Sequence, residues 1–198
     1  SSIGGGPSPD GIRQKPDFTA PDGVNTSVNF FSKDLENDGL YNFYGTSCAA
    51  PHAAGTAALI MGAKKKFYSE NMLPDSLRNL LRRTAVPMSA TIPNYNSGYG
   101  LIDAEAAIKT FAEPKPVLTS IALADSSVSP GNDTVTVIFT GSYFMDSSIV
   151  YIDNTAITTT YIDGSHLQAQ VLPFVGNPLL RIYTQPIVPN GNDGGFSN

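Results

Sequence analysis

Two fold classes in series are predicted for this 198-residue chain: α/β over residues 1–112 and an all-β sandwich over residues 118–198. Three observations predict them. Apolar residues fall at helical spacing before "FAEPKPVLTS" (111–120) and alternate at period two after it. Pro114 and Pro116 favour an extended, semi-rigid stretch, which places a linker at 113–117. Charge divides at the same place. Residues 1–112 carry ten basic and ten acidic side chains, and residues 113–198 carry two and seven, so the whole net charge of −5 lies in the second half.

The elements follow in order. "KPDFTA" (15–20) is short, apolar and bounded by prolines, as a buried strand end is. "SVNFF" (27–31) and "YNFYG" (41–45) flank "SKDLENDGL", which reads as a hairpin with a polar tip. From Thr46 to about Phe67 the chain is rich in Ala, Leu, Ile and Met, long enough for a buried helix. "LPDSLRNLLRRTA" (73–85) has Pro74 and Asp75 at a helix start. Leu77, Leu80 and Leu81 share one face, and Arg82 and Arg83 lie in the last turn, where cations suit the helix dipole. "GLIDAEAAIKTF" (100–111) is a third helix after a Gly-rich turn. Beyond the linker, the run containing Val135, Val137 and Phe139 is followed by "IVYID", "AITTTYI", "HLQAQVL" and "LLRIYT". About seven short strands in some 80 residues is the pattern of a small antiparallel sandwich.

Composition narrows the function. A net charge of −5 and a pI near 4.8 argue against nucleic acid as a partner. No segment approaches the roughly 18 apolar residues of a membrane helix. The start, "SSIGGGPSPD", has no basic n-region and no apolar h-region. A lone Cys48 excludes an intrachain disulfide. A Ser/Thr/Asn-rich, Gly- and Pro-containing second half suits a secreted, periplasmic or cell-surface protein.

The stretch that carries chemistry is "GTSCAAPHAAG", Gly45 to Gly55. Ser47 sits in a small-residue turn that opens a helix, and a serine nucleophile needs a base beside it. The chain has two histidines, His52 and His166. His52 is five residues on, which turns it roughly 140° around the helix axis and roughly 7 Å along it. It faces away from the Ser47 hydroxyl and reads as a packing residue. His166 lies in the sandwich, beyond the linker. Ser47 taken alone would be a helix N-cap.

The motif resembles the nucleophile signature of subtilisin-like serine peptidases, G-T-S-x-A-x-P-H-x-A-G. Gly45, Thr46, Ser47, Ala49, Pro51, His52, Ala54 and Gly55 all match. "KPDFTAP" resembles the family's K-P-D strand, "LRNLLRRTA" its helix ending in T-A, and "YGLIDAEAAI", with Gly98 and Gly100, its final helix. The resemblance implies Ser47 as catalytic nucleophile. Gly45 and Thr46 support the turn and the oxyanion site, and Pro51, His52 and Gly55 are structural. A polypeptide is the implied substrate. It also implies an Asp, a His and an oxyanion Asn, none of which has a matching motif here. The chain therefore reads as the C-terminal part of a longer peptidase, entered mid-domain, and inactive alone. Cys48 replaces the family's frequent Met and reads as a small buried filler rather than a catalytic thiol. Asp22 interrupts the usual A-P-G turn and leaves that loop's shape open.

No cofactor is implied. "DLENDG" fits the opening of a calcium loop through Asp34, Glu36 and Asp38, but Gly45 stands where a bidentate Glu belongs; a solvated hairpin tip is the plainer reading. "KKK" (64–66) ends the nucleophile helix as a solvated face. The second region resembles the IPT/TIG immunoglobulin-like family. "LTSIALADSSVSPGND" resembles its opening pattern, and "FTGSYF", with Gly141 and Phe144, its G-x-x-F turn. That resemblance implies spacing, adhesion or ligand contact, and no aromatic cluster marks a sugar site. Unpaired sheet edges in residues 1–112 predict self-association. The rival reading is a non-catalytic surface or adhesion protein with a degenerate peptidase scaffold, whose Ig-like domain carries the function.

Overall fold

A computed structural model describes residues 5–8, 11–29, 33–127, 131, 133–188 and 190–198. The chain divides into two compact units, Ser1–Thr110 and Phe111–Asn198.

In the first unit, β1 (Pro7–Ser8) pairs with β2 (Gly11–Ile12), and β3 (Val24–Thr26) pairs antiparallel with β4 (Tyr41–Phe43). The expected hairpin is present, but its first strand is "VNT" and not "SVNFF". Val24 faces Phe43 and Thr26 faces Tyr41, so the polar tip is longer than expected. Phe30 and Phe31 of the expected strand lie outside the described residues. "KPDFTA" forms no full strand. Its Asp17–Thr19 segment hydrogen-bonds residues 99–102, with Thr19 N donating to Gly100 O at 2.8 Å and Ile102 N to Thr19 O at 3.0 Å. Leu101 bridges Thr19 on one side and Val86 on the other.

Helix α1 (Thr46–Tyr68) begins where the composition predicts. It is not a buried helix. Cys48 and Ile60 are buried, while Leu59 stays 64% exposed. Of the motif's small residues, Gly55 faces open space: a Cβ there would meet nothing within 4 Å. Helix α2 (Pro74–Thr84) buries Leu80 and Leu81 and half-buries Leu77, the face that the spacing predicts. Helix α3 is shorter than expected, Ala104–Lys109. Asp103 caps it, accepting from Ala106 N at 2.9 Å, while Leu101 and Ile102 are spent on the bridges to Thr19 and Val86. The "KKK" end of α1 is not wholly solvated: Lys64 lies over the Tyr68 ring at 3.4 Å.

The second unit holds β5 (Val117–Leu123), β6 (Val135–Ser142), β7 (Ser148–Ile152), β8 (Thr155–Ala156), β9 (Thr159–Asp163), β10 (His166–Val171), β11 (Leu180–Thr184) and β12 (Gly195–Phe196). They form two four-stranded antiparallel sheets, ordered β5-β6-β10-β9 and β12-β11-β7-β8. One core joins them. Val137, Phe139, Leu167, Ala169 and Val171 come from the first sheet, and Val150 and Ile182 from the second. Fully burying side chains such as Phe139, Leu167 and Ile182 stabilises by about 1.5–3 kcal/mol each. "AITTTYI", expected as one strand, is two, and they belong to different sheets. Thr159 Oγ1 donates to Ile157 O and accepts from Val150 N, both at 2.9 Å, which holds the crossing point.

The expected linker, 113–117, is pinned within this unit. Glu113 N donates to Asp193 Oδ2 at 2.7 Å, Gly194 N donates to Glu113 O at 3.0 Å, and Pro116 is buried. Phe144 of "FTGSYF" is buried in the core, and Gly141 lies so close to the start of β5 that a Cβ would stand 1.9 Å from Val117 O. Val128–Pro130 and Asn132 of "LTSIALADSSVSPGND" fall outside the described residues. An aromatic cluster does exist. Tyr151, Tyr183 and Phe196 meet at 4.7–5.9 Å between ring centroids, and Arg181 lies 4.1 Å over Phe196. Sequence alone does not show it, because the register of β7, β11 and β12 creates it.

Candidate nucleophile site

Strand β4 leads through Tyr44 into Gly45, which is the N-cap of α1 with φ +102° and ψ 176°. That φ lies in the region open chiefly to glycine, so the turn requires Gly45. No side chain caps the helix. The Gly45 carbonyl accepts from Cys48 N at 2.9 Å and from Ala49 N at 3.1 Å, and the Gly45 amide donates to Asp22 Oδ1 at 2.7 Å. Thr46 and Ser47 are therefore the first two helical residues. Both are exposed, and no described side chain hydrogen-bonds the Ser47 hydroxyl. The Ser47 amide lies in the first turn, at the positive end of the helix dipole, where an anion is favoured. Cys48 is buried, as a small filler would be.

His52 is half-buried. Its Nδ1 donates to the Cys48 carbonyl at 2.9 Å, one turn back on the same helix. Pro51 is exposed and sits in the second turn. It has no N–H, so the Ser47 carbonyl lacks its usual ladder donor. The second histidine, His166, lies in the other unit, where Nδ1 meets the Asp163 carboxylate at 3.0 and 3.1 Å. The Ser165 amide and His166 hold the Asp163 carboxyl below its ordinary value.

A cleft of about 910 Å³ opens beside the turn. Gly45, Thr46, Ala49, Ala50 and Ala53 line it from the start of the helix, and Phe18, Thr19 and Ala20 line it as well. The small helical side chains keep the groove open.

Three further residues support the turn and its surroundings. Asn42 is fully buried at the hairpin base. Its Nδ2 donates to Gly23 O (3.2 Å), Asn25 Oδ1 (3.0 Å) and Glu36 Oε2 (2.8 Å), and its Oδ1 accepts from Leu35 N at 2.9 Å. Asp22 accepts from Gly23 and Gly45. Asp17 pairs with Lys15 and Arg82, whose Nε is 3.0 Å away. Burial pushes the Asp17 carboxyl up, but hydrogen bonds from Lys15 and Arg82 outweigh it and hold the group below 3.8. The sequence marks Asp17 only as part of "KPDFTAP" and Asp22 only as a break in the usual turn, and Asn42 gives no signal beyond a polar residue in the aromatic run "YNFYG".

The acidic tip is organised by its own backbone. Asp34 accepts from Asp38 N at 3.2 Å and Gly39 N at 2.8 Å, Asp38 accepts from Leu40 N and Asn25, and Glu36 turns to Asn42. Among the described residues, no group of three or more His, Cys, Asp or Glu side chains is placed to hold a metal.

The profile of the subtilase family matches residues 3–100. Relatives are of the same kind. Fervidolysin from Fervidobacterium pennivorans is 38% identical over 74 residues, covering 37% of this chain and 10% of that protein. The PII-type proteinase of Lacticaseibacillus paracasei is 36% identical over 112 residues, covering 48% of this chain and 6% of its own length. A calcium-dependent protease of Trichormus variabilis is 34% identical over 93 residues, covering 42% of this chain and 13% of its own length. The chain thus spans only 6–13% of these relatives. Its N-terminal unit is a subtilase-like domain.

Proposed function

We propose, taking the subtilase-like N-terminal unit as premise, that this chain supplies the nucleophile of a serine endopeptidase acting on polypeptides. Ser47 Oγ attacks the scissile carbonyl and forms an acyl-enzyme. Its proton passes to a histidine base and then to the leaving amine, after which water hydrolyses the ester. The Ser47 amide donates one hydrogen bond to the oxyanion, with Gly45 and Thr46 holding the turn. The histidine base, its orienting Asp and the oxyanion Asn come from residues outside this chain, so the 198 residues alone are inactive. Pro51, His52 and Gly55 belong to the helix scaffold and take no part in the chemistry.

The observation that carries this reading is the cap. Gly45, not Ser47, occupies the N-cap, so the serine hydroxyl is not spent on capping and stands exposed at the helix end. The relatives' names as proteases, and the small share of their length that this chain covers, support a longer parent peptidase. Among the described residues no helix is long and apolar enough to cross a membrane. The second unit serves as an Ig-like, IPT/TIG-like accessory module that spaces or binds. Its two sheets around one core and the Gly141–Phe144 turn support that assignment.

The test is hydrolysis of casein or a fluorogenic peptide by the whole protein, by its Ser47→Ala variant, and by the 198-residue chain. Turnover is expected from the first alone. Turnover by the short chain that Ser47→Ala abolishes would reveal a base within these residues and overturn the assignment.

A further inference from the structure

We infer that Asp22 is a positioning residue for the nucleophile, fixing the turn that presents Ser47; this rests on the reading of Ser47 just given. The Asp22 Oδ1 atom is 2.7 Å from the Gly45 amide and 2.7 Å from the Gly23 amide. It therefore ties the N-cap of α1 to the entrance of β3, across 23 positions of sequence. The Gly23 amide also donates to Phe43 O at 3.0 Å, the last residue of β4. On the far side, Gly23 O accepts from the buried Asn42 Nδ2 at 3.2 Å. A continuous hydrogen-bonded path thus runs from the hairpin base, through Gly23 and Asp22, to Gly45.

Gly45 is the point where such a brace matters. Its φ of +102° is cheap for glycine but is one of several conformations it can reach, and no side chain of the helix caps it. Without an external acceptor, the Gly45 peptide would be free to rotate. Ser47 is two residues on, and its amide and hydroxyl move with that peptide. Nucleophile and oxyanion donor must be held to within a fraction of an ångström, so a loose turn costs rate before it costs fold. A carboxylate suits the place, since it accepts two amides at once and lies beside a positive helix end. Asp22 also lines the cleft beside the turn.

The experiment has two arms, each with Asp22→Ala and the conservative Asp22→Asn, which keeps an acceptor oxygen. The first measures amide hydrogen exchange at Gly45 in the 198-residue chain. Asp22→Ala should raise it about tenfold or more, and Asp22→Asn less. The second uses the whole protein. It measures the labelling rate of Ser47 by a fluorophosphonate, together with kcat and KM. Asp22→Ala should lower labelling and kcat about 10- to 100-fold, with KM nearly unchanged and the melting temperature within a few degrees, and Asp22→Asn should recover part of the rate. Unchanged exchange at Gly45 overturns the brace. Raised exchange with wild-type labelling overturns the positioning role and leaves Asp22 merely structural. If Asp22→Ala does not fold, Asp22→Ser, whose shorter side chain does not reach Gly45, takes its place, and unchanged exchange at Gly45 or wild-type labelling in it overturns the proposal. Absence of labelling in the wild type, with Ser47→Ala as reference, overturns the nucleophile assignment and this inference with it.

Discussion

Ser47 and His52 stand five positions apart in one helix, and their surroundings differ. The serine hydroxyl is exposed and uncapped, whereas the imidazole is half-buried and bonded to the Cys48 carbonyl. In the whole protein, Ser47→Ala should lower turnover on the order of 10⁶-fold, the size known for this mechanism in subtilisin, with little change in stability. His52→Ala should instead cost about 1–3 kcal/mol of stability and leave most activity per folded molecule. Melting temperature and active-site-titrated turnover separate the two. Asp17 makes a second residue-scale prediction. Its carboxyl is held below 3.8 in the fold, chiefly against burial, by Lys15 and Arg82. Its stabilisation is therefore present above the unfolded value and is lost as pH falls through the lower folded value. Asp17→Asn should destabilise the first unit by about 1–3 kcal/mol near neutral pH. That gap should close as pH falls through the lowered folded value of Asp17, read as melting temperature against pH. The residues of the G-T-S motif are legible in sequence because they are contiguous. The partners of Asn42 and Asp22 are not, since Asn42 reaches Asn25 across 17 positions and Asp22 reaches Gly45 across 23.

At the scale of elements, what is legible follows from local rules. The start of α1 is set by Gly45 followed by a run of good helix formers, and the buried face of α2 by Leu77, Leu80 and Leu81. Boundaries fail where long-range hydrogen bonds decide them. The start of α3 yields Leu101 and Ile102 to the bridges with Thr19 and Val86, and "AITTTYI" divides because β8 and β9 belong to different sheets. Gly141 is the element on which the second unit's closure turns. An added methyl would collide with the backbone of Val117 and with the Phe144 ring, 2.6 Å away. Gly141→Ala should therefore cost about 2–4 kcal/mol in chemical denaturation of residues 111–198, by forced displacement of β5 or of Phe144. A cost below about 0.5 kcal/mol would show that the pairing of β5 with β6 yields easily.

Over the whole molecule, apolar burial is unequal. The continuous core, from Val137 to Ile182, belongs to the second unit. The first unit buries Cys48, Ile60, Leu80, Leu81, Ile102 and Ala107, while Leu59, Leu73 and Met88 stand largely exposed. Limited proteolysis should leave a resistant C-terminal fragment beginning near Phe111 and degrade the first unit sooner; the reverse order would contradict this account. Exposed apolar side chains stand in both units, Leu59 and Leu73 in the first and Leu172 and Val175 in the second, and self-association through them is the expectation that a concentration series in sedimentation tests. The central claim, that Ser47 is a nucleophile activated by residues this chain does not carry, is tested most directly by mapping a fluorophosphonate adduct by mass spectrometry. The account predicts a single adduct at Ser47 in the whole protein and none in the 198-residue chain. An adduct on another serine of the whole protein, or equal labelling of Ser47 in the short chain, would contradict it.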